Sequence, residues 1–151
     1  MKPSIALTLG EPAGIGPDIL LQWAQQHDCT DIIVIGDKNL LLQRAAQLKL
    51  PMPFGPQQWL QVPVAAPVIC GQPSVENVPY VLQCLDLAIV GCMRQKYAAM
   101  VTGPIQKSII NAAGMPFSGH TEYLAAQAKV NKTLMCFENP AMRIALLTTH
   151  M

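Results

Sequence analysis

Five consecutive residues, Ser118-Gly119-His120-Thr121-Glu122, place a proton carrier, a hydroxyl and a carboxylate side by side. An imidazole changes charge near neutral pH, so His120 suits the binding or protonation of an anionic substrate. Gly119 allows a close approach of backbone to ligand. Thr121 offers a hydroxyl that can cap a following helix. Glu122 either steers the imidazole or favours the positive end of that helix. The competing reading is a structural histidine at a helix start.

Three further stretches carry candidate chemistry. Gly10-Glu11-Pro12-Ala13-Gly14-Ile15-Gly16 opens a helix, where backbone N–H groups can hold an anion. Its spacing matches neither the dinucleotide fingerprint nor a Gly-Lys-Ser/Thr phosphate loop, and a tight strand-to-helix turn explains it equally well. Thr102-Gly103-Pro104 with Lys107 suits phosphate or carboxylate at a strand's carboxyl end; a capped helix beside a solvated lysine is the alternative. Thr148-Thr149-His150 puts an imidazole just past a predicted buried strand, a place where zinc, cobalt or iron is often held. One histidine makes no metal centre, since a catalytic zinc takes about three protein ligands. His27, at a helix end, reads as a surface residue.

The elements that must position these residues alternate in type. Residues 5–9 and 31–36 read as strands, the second β-branched, apolar and buried on both faces as a parallel sheet requires. Pro17 and Asp18 suit the first turn of a helix carrying Ile19, Leu20, Trp23 and Ala24 at helical spacing. Asp37 or Asn39 caps a second helix running to about Lys49. Residues 50–71 hold five prolines, which leave loops and short edge strands, expected near 62–64 and 68–70. This segment reads as a connector or a dimer-contact arm. The longest helix is expected over residues 74–97, capped by Ser74 or Asn77. A buried strand follows at 98–101, a helix at 105–113 closed by Gly114, a short helix at 122–128, and strands at 133–137 and 143–148. Together they predict an α/β fold on a mainly parallel sheet.

Composition narrows the class. The 151 residues are 51% hydrophobic and 13% charged with a formal charge of +1, enough apolar content for a core. No basic block interleaves with aromatics, so no nucleic-acid partner is expected. The apolar runs fall short of the roughly 18 residues a membrane helix needs, and the N-terminus lacks a signal-like region, so neither membrane nor export is expected. The five cysteines are odd in number and scattered, without Cys-x-x-Cys; buried free thiols in a reducing cytoplasm are the expectation.

Four motifs occur in one order: Gly10-Glu-Pro-Ala-Gly-Ile-Gly-Pro-Asp18, Thr102-Gly-Pro-Ile-Gln-Lys107, Asn111-Ala-Ala-Gly-Met-Pro-Phe-Ser-Gly-His-Thr-Glu122 and Arg143-Ile-Ala-Leu-Leu-Thr-Thr-His150. This combination resembles the 4-hydroxythreonine-4-phosphate dehydrogenase family, PdxA. The resemblance implies an isocitrate/isopropylmalate dehydrogenase-like fold with two α/β/α lobes. Residues 1–151 would be its N-terminal portion, the first lobe and the start of the second, with the C-terminal half absent. It implies oxidation and decarboxylation of 4-phosphooxy-L-threonine to 3-amino-2-oxopropyl phosphate in pyridoxine 5'-phosphate biosynthesis, with NAD or NADP and a divalent metal (Zn, Mg or Co). His120 and Thr121 would contact substrate and His150 would ligate the metal, in a cytoplasmic homodimer with its site at the interface. The chain alone is expected to be inactive. Relatives acting on threonate or erythronate 4-phosphate, or on a dihydrodiol carboxylate, are the alternatives within the family. A non-catalytic phosphate-binding α/β fragment is the alternative outside it.

Overall fold

The computed structural model describes residues 4–146, so His150 and the Thr148-Thr149 pair before it lie outside the described residues. The chain divides into two compact units, one ending at Pro116 and the other beginning at Phe117.

In the first unit, β1 (Ile5–Thr8), α1 (Gly16–Ala24), β2 (Ile32–Gly36), α2 (Lys38–Leu48), β3 (Trp59–Gln61), α3 (Val78–Met93), β4 (Ala99–Thr102) and α4 (Lys107–Ala112) follow one another. The sheet order is β3-β2-β1-β4, and every pair is parallel. Side chains alternate between the two faces along each strand. Val34 is buried with Leu20, Leu21 and Ala24 of α1 and Leu41 and Ala45 of α2. Its neighbour Ile35 is buried with Tyr80, Val81, Cys84 and Ala88 of α3. The first two helices thus cover one face and α3 the other, as right-handed crossovers demand when the chain steps outward from β1 to β3 and then returns to β4. Fully burying each of Leu21, Val34 and Ile35 contributes about 1.5–3 kcal/mol before ordering costs.

Asp37 is the cap of α2. Its Oδ1 accepts the N–H groups of Asn39 at 2.8 Å and Leu40 at 3.2 Å, and its Oδ2 accepts that of Val64 at 3.0 Å. One carboxylate therefore starts a helix and holds the proline-rich segment. That segment's strand lies at Trp59–Gln61, earlier than the positions expected from sequence. Pro63 and Pro67 have no N–H for a ladder, and the side chain of Gln58 anchors the segment by donating to the carbonyls of Cys29 and Ile32. Further on, Ile69 and Gln72 form only an isolated bridge.

The longest helix is shorter than expected. A 3-10 turn occupies Val75–Asn77, where Ser74 accepts the N–H of Glu76, and α3 stops at Met93. Gln95 has φ +58°, which ends the helix, and the chain then folds back to lay Tyr97 over Gly91. A Cβ on Gly91 would lie 2.3 Å from two ring carbons of Tyr97, so the return requires glycine there. Residues Val75–Met93 are long and apolar enough to cross a membrane by length and composition, unlike the expectation from sequence. Val78, Val81, Leu85 and Ala88 are buried in the first unit, which makes this its core helix.

The second unit holds α5 (His120–Ala128) and a hairpin of β5 (Met135–Asn139) and β6 (Met142–Leu146). The pair is antiparallel, with Phe137 opposite Ile144. Asn139 closes the turn by accepting the N–H groups of Ala141 and Met142. β5 lies two residues later than expected, and β6 begins one residue earlier. No residue of α5 is buried, and Phe137, Met142 and Ile144 are exposed, so this unit has little core of its own. The cysteines meet expectation in part: all are free thiols and Cys29 and Cys84 are buried, but Cys92 is intermediate, and Cys70 and Cys136 are exposed.

Candidate functional site

The carboxyl ends of β1 and β4 are adjacent, with Thr8 opposite Thr102. Beyond them the two loops are tied together. Gly103 donates its N–H to the Thr8 carbonyl at 2.8 Å, and Glu11 donates its own to the Pro104 carbonyl at 2.9 Å. The structure therefore brings the first glycine loop and the Thr102-Gly103-Pro104 segment into one assembly, at the place in an open α/β sheet where the strand order reverses.

Within the glycine loop, the Ala13 N–H is taken by Glu11 Oε1 at 3.1 Å and the Gly14 N–H by the Glu11 carbonyl at 3.0 Å. The Ala13 carbonyl accepts the N–H of Gly71, from the far end of the proline-rich segment. These bonds favour the tight-turn reading for the first part of the loop, because the N–H groups of Glu11, Ala13 and Gly14 are committed internally. Glu11 is 7% exposed, and burial holds its carboxyl above the usual carboxylate range, partly offset by the Ala13 N–H. Sequence reasoning passed over this carboxylate. A charged residue between a glycine and a proline at a strand end was the available signal.

Lys107 stands at the start of α4, which begins two residues later than expected, and is exposed. Asp18 lies in the first turn of α1, as expected, where its charge favours the dipole, and it is also held in a bidentate pair by Arg44 of α2, with Nε–Oδ1 at 2.8 Å and Nη2–Oδ2 at 2.5 Å. The same guanidinium reaches Gln47 and the sulfur of Cys70. His27 is exposed, as expected, and stacks on Trp23 with ring centroids 4.5 Å apart.

In the second unit, α5 begins on His120 itself, two residues earlier than expected. Gly119 occupies the cap position and no side chain caps this end, so Thr121 lies inside the first turn rather than capping it. Glu122 is exposed in that same turn, where its charge favours the dipole. The Phe117 ring meets His120 edge-on at 6.4 Å and Tyr123 at 5.4 Å. His120 Nε2 is buried without a hydrogen-bond partner. Burial lowers the imidazole's pKa below its ordinary value, which favours the neutral ring. A neutral ring with one unspent nitrogen can donate to or accept from a ligand oxygen. The Thr121 hydroxyl is the adjacent polar group.

An apolar concavity of about 500 Å³ in the first unit lies elsewhere. It is lined by Leu7, Ile19, Trp23, Val101 and Pro104 among others, and almost all of its surface is apolar. It is no place for a phosphorylated substrate.

A profile of the family described as pyridoxal phosphate biosynthetic protein PdxA matches residues 27–151. Among curated proteins, the 4-hydroxythreonine-4-phosphate dehydrogenase of Chromobacterium violaceum is 44% identical over 99% of this chain and 49% of its own length. That of Salmonella arizonae is 42% identical over 97% of this chain and 49% of its own. The chain spans about half the length of the curated relatives it matches. Among solved structures, a putative 4-hydroxythreonine-4-phosphate dehydrogenase from Salmonella typhimurium superposes with a TM-score of 0.85 at 24% identity, over 99% of this chain and 52% of that one. A terephthalate 1,2-cis-dihydrodiol dehydrogenase from Burkholderia xenovorans gives 0.65 at 24% identity, over 85% and 41%. These two structural likenesses establish the fold.

Proposed function

Because the chain belongs to the PdxA family, we propose that it supplies one wall of the active site of a dehydrogenase in pyridoxine 5'-phosphate biosynthesis. The reaction is the oxidation and decarboxylation of 4-phosphooxy-L-threonine to 3-amino-2-oxopropyl phosphate. The observation that carries this reading in the structure is the unspent, buried Nε2 of His120 at the start of α5, with Thr121 beside it. A neutral imidazole and a hydroxyl hold a polar, anionic substrate by hydrogen bonds without adding a fixed charge. Both residues act here as binding and orienting groups.

NAD or NADP would supply the acceptor for the hydride of the substrate's secondary alcohol. The proposed divalent metal, zinc, magnesium or cobalt, rests on His150, outside the described residues. Among the described residues no group of three or more His, Cys, Asp or Glu side chains is placed to hold a metal ion. No step is therefore routed through it. A cytoplasmic homodimer with the site at its interface completes the proposal.

The test is to co-express the chain with the second half of the Chromobacterium violaceum relative and follow NAD(P)H formation. Turnover of 4-phosphooxy-L-threonine that needs both polypeptides, and that falls at least tenfold in His120→Asn, supports the reading. Turnover only of threonate or erythronate 4-phosphate, or of a dihydrodiol carboxylate, moves the chain to another substrate. No turnover of any of these overturns the proposal.

A further inference from the structure

His120 and Tyr123 stand three residues apart on α5, so their side chains leave the helix on one face. Phe117, from the segment just ahead of the helix, lies across that face. Its ring centroid is 5.4 Å from that of Tyr123, with the planes tilted by 35°, and 6.4 Å from that of His120, with the planes at 83°. Pro116 and Ser118 on either side are exposed, yet Phe117 is only 5% exposed. One aromatic ring is thus turned inward against the first turn of α5.

This ring meets two needs of the helix start. No side chain caps α5, so no side-chain hydrogen bond fixes the angle at which the chain enters. An apolar residue ahead of a helix can fix that angle by packing on the fourth helical residue, and Phe117 against Tyr123 is such a staple, set one position further out than usual. The second need concerns the imidazole. Nε2 of His120 has no hydrogen-bond partner to orient the ring. The edge-on contact with Phe117 is an arrangement in which two aromatic rings attract, and it favours one setting of the imidazole over others.

We propose that Phe117 is the positioning residue for His120: its ring holds the imidazole in one orientation and leaves Nε2 for an oxygen of the substrate. The inference rests on the proposed role of His120 in binding substrate. Phe117, being buried, acts through the imidazole and not on the substrate itself. Its effect is preorganisation, because an imidazole already ordered loses less freedom when the substrate arrives. The staple on Tyr123 needs only apolar bulk, whereas the orientation of His120 needs an aromatic face, so the two roles are separable by substitution.

The test uses the full chain co-expressed with the second half of the Chromobacterium violaceum relative, with Phe117→Leu and Phe117→Tyr. Leucine keeps apolar bulk against Tyr123 and removes the ring; tyrosine restores the ring. With carbon-13-labelled histidine, NMR relaxation should show the His120 ring ordered in the wild type, loosened in Phe117→Leu and ordered again in Phe117→Tyr. Backbone shifts of residues 124–128 should stay helical throughout. For 4-phosphooxy-L-threonine, kcat/KM should fall about fivefold or more in Phe117→Leu and recover to within about twofold in Phe117→Tyr. On a His120→Asn background, Phe117→Leu should change kcat/KM by less than about twofold, because a residue that acts through the imidazole then has nothing to act on. An equal fall on both backgrounds overturns the proposal, since it marks a staple and nothing more. A His120 ring as ordered in Phe117→Leu as in the wild type overturns it too. If Phe117→Leu unfolds α5, the wild type decides: a His120 ring that exchanges rotamers beside an intact Phe117 overturns the proposal, and one held in a single rotamer with Phe117–His120 Overhauser contacts supports it. A wild-type assembly that turns over no substrate counts against the proposed chemistry, and the NMR arm then decides this inference alone.

Discussion

Gly10 and Pro104 meet backbone to backbone where the loops after β1 and β4 come together. A Cβ on Gly10 would lie 2.2 Å from the Pro104 carbonyl oxygen. That oxygen is also the acceptor for the Glu11 N–H, so it cannot retreat without breaking a bond. Gly10 has φ +75°, which side-chain-bearing residues rarely adopt. Gly10→Ala therefore meets two penalties, about 1 kcal/mol or more for the backbone and a steric clash on top. A total loss near 3 kcal/mol is expected, which lowers Tm by roughly 6–12 °C in a chain of this size. A melt within two degrees of wild type would falsify this account of the loop.

Asn77 ties the proline-rich segment to α3. Its Oδ1 accepts the N–H groups of Ala65 and Ala66 at 3.0 and 2.9 Å, and its Nδ2 donates to the Ala66 carbonyl at 3.3 Å. Asn77 is only 2% exposed, and Asn77→Ala leaves the buried backbone groups of Ala66 without partners, at an expected cost of about 2–3 kcal/mol in urea denaturation. Asn77→Asp keeps the acceptor and should lose less at the first pair of bonds, but nothing then donates to Ala66.

Glu11 should make stability depend on pH. Its folded pKa is raised from 4.5, chiefly by burial. The folded chain thus keeps this proton to higher pH than the unfolded one. The group's contribution is fully present below 4.5 and is lost as pH rises through the folded value. Glu11→Gln retains an oxygen for the Ala13 N–H but has no charge to bury. It should melt higher than wild type at pH 7, and the gap should close toward pH 4. Glu11→Ala lacks both the charge and the acceptor, and should be about 1 kcal/mol less stable than Glu11→Gln at every pH.

The opposite sign applies to the pH profile of His120. Burial lowers its folded pKa from 6.5, so the unfolded chain takes up this proton first. Its contribution is complete above 6.5 and declines as pH falls through the folded value. A heteronuclear NMR titration should place the ring's midpoint below 6.5, and His120→Asn should flatten the stability profile in that window. A midpoint at or above 6.5 contradicts the burial on which the proposed substrate contact depends.

The β-branched run of β2 and the proline at the start of α1 were enough to read alternating strands and helices on a parallel sheet, because those patterns follow from local backbone preference and one-sided burial. The same is true of Asp37, a short acceptor placed just before a helix. The order of four motifs was enough to indicate the family. Register and coupling were not legible. Nothing local tells that Trp59–Gln61 is the third strand, since that depends on Gln58 reaching the carbonyls of Cys29 and Ile32. Nor does local sequence show that α3 ends at Met93, which follows from Tyr97 returning onto Gly91.

For the candidate site, residue types alone singled out His120 and Thr121, because an imidazole next to a hydroxyl is chemically conspicuous wherever it lies. Only the tertiary structure decided that the imidazole begins α5 and that its Nε2 is buried and unspent. Only the tertiary structure brought Gly10 and Glu11 against Pro104. Those outcomes are set by groups far apart in sequence competing for the same hydrogen bonds and the same space. Local propensity is blind to that competition, and burial depends on it.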